Sequence, residues 1–158
     1  MPRARLVLPL SLAALALGSG VALATNPIGQ QQGYTLNVPS SYWITWGSDG
    51  NLYFSDDGAG DIGIVSPTGQ LLNTVSTGQR TFGIAATGDG HVWFTSGADH
   101  MGRIDVGGGN LVSFPVPGAQ LQSATAGPDG NVWFTDIGQY KVGRITPAGV
   151  VTEFALPH

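Results

Sequence analysis

GPDGNVWFTDIGQYKVGRITPAGVVTEFALP, residues 127–157, holds one complete structural unit. A Gly-Pro-Asp-Gly turn opens it, and three runs suited to β-strands follow. Asn131-Val132-Trp133-Phe134-Thr135 is rich in the aromatic and β-branched residues that pack well on a pleated, half-buried surface. Residues 142–146 form a second run, closed by Pro147-Ala148-Gly149, and residues 150–154 a third. With residues 122–126 ahead of the turn, the unit reads as four short strands, its Asp-Gly supplying the positive φ of a tight hairpin.

The same unit recurs upstream. Asp49-Gly50, Asp89-Gly90 and Asp129-Gly130 are each forty residues apart. An aromatic pair follows each time, as Tyr53-Phe54, Trp93-Phe94 and Trp133-Phe134, and then a hydroxyl residue, Ser55, Thr95 or Thr135. Gly63-Ile64, Gly102-Arg103-Ile104 and Gly143-Arg144-Ile145 also correspond. The second copy is one residue shorter in the intervening turn. A period of about forty with short strands is the mark of propeller blades. A β-sandwich would not repeat the same turn residues at that spacing. The expectation is an all-β chain of the β-propeller type, with three four-stranded blades at about 41–80, 81–120 and 121–157. Trp93 and Trp133 are expected between blades. Arg103 and Arg144, equivalent on their strands, are expected to pair across strands with Asp105 or Glu153.

Three blades make a partial propeller, since rings close with four to eight. Apolar blade faces and strand edges would then stay open. Two readings follow: the chain is part of a longer product, or copies assemble as a homo-oligomer whose blades complete a ring.

Residues 1–24 read as a secretion signal. Arg3 and Arg5 precede an apolar run at 6–17, and Ala22-Leu23-Ala24 gives the small-x-small pattern of a cleavage site. The run is short for a membrane span of about 20 residues, so no membrane association is expected after cleavage. The exported chain would be periplasmic or extracellular. It would start with a flexible polar leader at 25–33, followed by a strand-like Tyr34-Thr35-Leu36-Asn37-Val38. Loss of the two leader arginines leaves four basic residues against ten acidic ones, a net charge of −6. Nucleic acid is not an expected partner, because phosphate binding needs clustered Lys and Arg. The chain has no cysteine, which fits an exported protein stabilised by repetition instead of disulfides.

Gly-Pro-Asp-Gly-Asn-Val-Trp-Phe-Thr, with Lys141-Val142-Gly143-Arg144-Ile145-Thr146 and Thr152-Glu153-Phe154, resembles the virginiamycin B (streptogramin B) lyase family over residues 34–157. The resemblance implies a seven-bladed propeller related to NHL-type repeats. It also implies an antibiotic-opening activity, in which a cyclic depsipeptide ester is opened by carbon–oxygen elimination. A proton next to a carbonyl is removed, Mg2+ on carboxylate ligands polarises that carbonyl, and histidine transfers the proton. In the family the histidine stands at the start of a blade's first strand, and an acid follows the Trp-Phe-Thr. Here the first positions are Tyr42, Phe82 and Gln122, and the second are Asp56, Ser96 and Asp136. Histidine is thus absent from the first set, which favours a ligand- or protein-binding, catalytically degenerate member over an active lyase.

The remaining candidates follow from blade topology, which puts the start of each first strand and the end of each second strand on one face, around the channel mouth. Tyr42, Arg80, Phe82, Gln120 and Gln122, with Trp43 nearby, would line that mouth, and aromatics with a few polar groups suit a small-molecule or peptide ligand. They suit a packed blade interface equally well. Asp56 and Asp136 are the candidate metal ligands, and Asp56, Asp57 and Asp61 form the densest acidic cluster, open to a hard cation or simply to solvent. His100, read as a loop residue on the mouth face, is the candidate catalytic residue. His91 reads as a turn residue on the opposite face, and His158 is terminal.

Overall fold

A computed structural model describes residues 40–157, which form twelve strands and, among those residues, no helix. The first sheet contains β1 (Ser41–Trp46), β2 (Leu52–Asp56), β3 (Asp61–Val65) and β4 (Leu71–Ser76). The second contains β5 (Thr81–Ala86), β6 (His91–Ser96), β7 (His100–Asp105) and β8 (Val112–Pro115). The third contains β9 (Leu121–Ala126), β10 (Val132–Asp136), β11 (Lys141–Ile145) and β12 (Val151–Ala155). Each sheet is an antiparallel meander in chain order, and the three first strands lie side by side, with the others stepping outward. These are three consecutive blades of a β-propeller, as the forty-residue period implies. The leader and the expected strand at 34–38 lie outside the described residues.

The repeated residues have separate tasks. Gly50, Gly90 and Gly130 adopt φ of +78°, +90° and +76°, the left-handed geometry the Asp-Gly turns require. In the first and third blades the aspartate ahead of the glycine ties the turn to the next strand. Asp49 accepts from the Asn51 amide and from the Tyr53 hydroxyl (2.9 Å), and Asp129 from Asn131 and the Trp133 indole N–H (3.2 Å). The hydroxyl after the aromatic pair repairs a bulge. Each first strand slips register near its start. The backbone N–H of Trp43, Gly83 and Ser123 donates instead to Ser55, Thr95 and Thr135, at 3.1, 2.9 and 3.1 Å.

Apolar burial lies between blades. One cluster joins Tyr53, Ile62 and Ile64 of the first blade to Ile84, Val92, Phe94 and Ile104 of the second. The other joins Trp93 and Met101 of the second blade to Val132, Phe134 and Ile145 of the third. β6 therefore sends Val92 and Phe94 one way and Trp93 the other, which is why its apolar run is continuous. Each fully buried side chain of this size contributes on the order of 2 kcal/mol.

Arg103 and Arg144 do not make the cross-strand pairs expected from sequence. Arg103 lies over Trp93 and Phe114, 5.3 and 5.6 Å from their centroids, and donates to the Pro147 carbonyl at 2.9 Å. Arg144 lies likewise over Trp133 and Phe154. Glu153 pairs with Lys141, and Asp105 with His91. A guanidinium lying over two stacked rings keeps its cation–π attraction while its edge stays free to donate.

Two measurements check this packing. A Cβ on Gly83 would sit 2.4 Å from the Ala124 backbone nitrogen, whereas one on Gly88 meets nothing within 4 Å. Gly83→Ala should therefore cost about 3 kcal/mol in urea unfolding, and Gly88→Ala should stay within about 0.5 kcal/mol of the parent. The Tyr53 phenol, fully buried, donates to Asp49 and accepts from the Gly107 N–H at 2.7 Å. Burial, with the Asp49 carboxylate alongside, pushes it up to about 12. A neutral phenol favoured by the folded state stabilises fully below the ordinary tyrosine value of about 10. That stabilisation should fade as pH rises from there to about 12, and Tyr53→Phe should remove this part of the alkaline loss.

Candidate functional site

The mouth is built from the opening residues of β1, β5 and β9 and the closing residues of β2, β6 and β10. The register pairs Ser41 with Asp56, Thr81 with Ser96 and Leu121 with Asp136. Tyr42 and Phe82 meet edge to face at 5.9 Å, across the junction of the first two blades. The Arg80 guanidinium lies 5.4 Å from the Phe82 centroid and donates to Asp57 at 2.7 Å. Asp57, which sequence reading placed only in an acidic cluster, is thus what orients Arg80. Beside them a cavity of about 350 Å³ is lined by Gln79, Arg80, Phe82, Gly97, Ala98 and Asp99. Tyr42 is 59% exposed and the Arg80 side chain 67%, so aromatic and cationic groups face solvent together.

The third blade meets the mouth differently. Gln120 is exposed and its backbone N–H donates to Asp136 at 2.8 Å, while the Gln122 carbonyl accepts from Thr95 at 3.2 Å. The structure thus brings both Tyr42 and Arg80 against Phe82. Gln120 and Gln122 stand on the neighbouring strand, β9, or just ahead of it.

Asp56 and Asp136 are buried and perform matching tasks. Oδ1 of Asp56 accepts from Gly58 and Ala59 at 2.9 and 3.2 Å, and Oδ1 of Asp136 from Gly138, Gln139 and Gln120. Each leaves its Oδ2 buried and without a hydrogen bond. The sequence signal for this turn was present as Asp-x-Gly, an aspartate folding back on the N–H two residues on. Magnesium asks for near-octahedral oxygen ligation. Among the described residues no three His, Cys, Asp or Glu come together, and Asp56 and Asp136 each offer one buried, unpartnered oxygen.

His100 is the first residue of β7 and not a loop residue. Its Nδ1 lies 2.7 Å from the Asp99 carboxylate, in a direction that forms no hydrogen bond. Its carbonyl accepts from Ser96 Oγ at 3.0 Å. The side chain lines a second cavity of about 110 Å³ with Thr77, Gln79 and Ser96. Gln79 borders both cavities. His91, opening β6, pairs with Asp105, whose carboxyl is held low first by Asn110 and also by His91 itself.

The sequence model of the virginiamycin B lyase family matches residues 22–158. The chain belongs to that family. Among solved structures, selenomethionine-substituted virginiamycin B lyase from Staphylococcus aureus is 31% identical with a TM-score of 0.73, over 79% of this chain and 45% of the enzyme. A streptogramin B lyase structure is 29% identical with a TM-score of 0.71, over 79% and 44%. A catalytically inactive variant of the Staphylococcus aureus lyase with quinupristin is 30% identical with a TM-score of 0.69, over 75% and 42%. The chain therefore spans under half the length of these family members. No curated protein matches it.

The aspartate turns give a direct test. Asp136→Ala removes the acceptor of three backbone N–H groups and should cost about 2 kcal/mol in urea unfolding. Asp136→Asn, which retains Oδ1, should recover most of that. Millimolar magnesium should leave the Tm of the parent chain unchanged.

Proposed function

We infer that this chain is a ligand-binding member of the virginiamycin B lyase family, which holds an aromatic, amide-rich small molecule or peptide at the propeller mouth and does not by itself carry out the elimination. The observation that carries this reading is the contact of Tyr42 with Phe82, two positions where the family resemblance expects histidine, with Arg80 lying over the Phe82 ring. Two rings edge to face offer a flat apolar wall, and a guanidinium fixed by Asp57 offers donors to a ligand carbonyl. Gln120 and Gln122 would add amides along the same rim. Quinupristin, present with the inactive Staphylococcus aureus variant, exemplifies such a ligand. An exported chain would meet it outside the cytoplasm.

A second reading, carbon–oxygen elimination, is favoured by His100 with the Asp99 carboxylate beside it. In that reading the imidazole takes the proton next to the carbonyl, and the ester C–O bond breaks as the double bond forms. Magnesium, when bound, would supply carbonyl polarisation; the described residues offer Asp56 and Asp136 but no assembled ligand set.

Quinupristin separates the two. Titration calorimetry with the full chain should show binding that Tyr42→Ala or Phe82→Ala weakens about 10-fold, near 1.4 kcal/mol. Elimination adds no water, so an opened product keeps the mass of the ring and is read by chromatography. The binding reading expects the ring intact after prolonged incubation with magnesium; opened product that disappears in His100→Ala would replace it with the second reading.

A further inference from the structure

We propose that the smaller cavity, between the first and second blades, is a binding site for a short uncharged aliphatic group that carries one hydrogen-bonding function, as in an alcohol or an amide. The repeat supplies the comparison that points to it. The same place between the second and third blades is filled, and by different residues.

The second and third blades correspond strand for strand. Lys141 opens β11 as His100 opens β7. Glu153 lies opposite Gly143, the glycine under the Phe134 ring, as Ser113 lies opposite Gly102, the glycine under Phe94. In the third blade Lys141 donates to Glu153 at 3.2 Å and also to Gln139. The Gln139 amide in turn donates to the Pro117 carbonyl in the β8–β9 connection at 3.3 Å. Three long side chains thus close that junction. In the second blade the equivalent strand positions hold an imidazole and a hydroxyl, and the turn before them is the short Gly97-Ala98-Asp99. What they leave open is the cavity of about 110 Å³. Both blades that wall it lie within the described residues.

Its lining sets the class of ligand. Phe94, Gly102, Leu111 and Val112 give an apolar wall. Among the described residues no Lys, Arg, Asp or Glu lines it. An ion seated there would lack a counter-charge, and the Asp99 carboxylate, 2.7 Å from His100 Nδ1, further opposes an anion. Thr77 and Ser96 already direct their hydroxyl protons to the Gly60 and His100 carbonyls. The His100 imidazole, the Ser113 hydroxyl and the Gln79 amide are left to meet a ligand, and His100 Nδ1 is buried without a hydrogen bond. An apolar cavity of about 150 Å³ takes benzene. The smaller volume here suits roughly four or five heavy atoms, an aliphatic body with one hydroxyl or amide.

Such a group has two sources. It is either a free small molecule or the side arm of a ligand seated at the mouth, since Gln79 borders both cavities. Only the second source rests on the reading of the mouth as a ligand site.

The test titrates isobutanol into the full chain and follows the histidine rings and the Gly102 amide by NMR. The His100 and Gly102 signals should shift and saturate at millimolar alcohol, whereas the His91 ring, held by Asp105, should not respond. His100→Lys combined with Ser113→Glu copies the third blade and should abolish the Gly102 response, with circular dichroism confirming the fold. Ser113→Gln, at an exposed position, fills the cavity from its rim and serves should the double variant not fold. Prior addition of quinupristin separates the sources: a lost isobutanol response marks the arm of a mouth ligand, and an undiminished one a free small molecule. Should quinupristin itself not bind, the reading of the mouth fails while the isobutanol titration still decides the cavity. A His100 response that rises with alcohol and never saturates, or a Gly102 response equal in the filled variants, overturns the proposal and leaves the cavity to water alone.

Discussion

Phe54, Phe94 and Phe134 each press the end of their ring onto a glycine of the adjacent strand, Gly63, Gly102 and Gly143, where a Cβ would come within 2.0 to 2.2 Å of the ring. This contact sets the thickness of a blade. Without a side chain at the glycine, the ring drops into the sheet, and the neighbouring blade can approach closely enough to bury the large residues between them. Gly83, against the Ala124 backbone, does the same where the first strands meet. Interiors of proteins are dense enough that one methyl group at such a point displaces a whole blade. The arc, the mouth it forms and the two clusters between blades all depend on these close approaches.

The repeat made the fold legible. Forty-residue spacing of Asp-Gly, aromatic pair and hydroxyl fixed the number of strands and their meander, and strand ends moved by only about one residue between reading and structure. Trp93 lies between blades, as the repeat demands. Trp133, at the equivalent position, is half-buried because no described blade follows it. The arginines were misread because the register partner of each, Trp93 or Trp133, is an aromatic ring and not a carboxylate. Arg103 finds its rings on β6 and β8 and its acceptor forty-four residues away in the next blade. Sequence spacing within one sheet cannot reveal a partner contributed by another.

The mouth was legible as a set of positions but not as a set of contacts. That Tyr42, Arg80 and Phe82 share one face follows from strand direction alone. That Arg80 is held by Asp57, and that Gln120 engages the third blade through its backbone, depends on turn geometry. The hydroxyls of Ser55, Thr95 and Thr135 carried a signal of a different kind. Their invariance across the three units reflects a bulge that frees a backbone N–H, and an unsatisfied buried donor costs on the order of 1–3 kcal/mol. Such residues are fixed by architecture and offer no chemistry.

Where the repeat breaks, the site acquires its character. The first and third blades lock the turn after their second strand with Asp56 and Asp136, whose carboxylates collect the N–H groups of an Asp-x-Gly turn. The second blade has Ser96 there, and its turn is one residue shorter. A hydroxyl accepts less readily than a carboxylate and can also donate, and Ser96 does so, to the His100 carbonyl. The strand that follows consequently starts at His100, with its ring beside Asp99 and next to a cavity bordered by Gln79. The aspartate turns keep two blades rigid at the mouth, and the exceptional turn displays the one imidazole among the described residues on that face. Position in the repeat thus separates what holds the arc together from what the arc can present to a ligand.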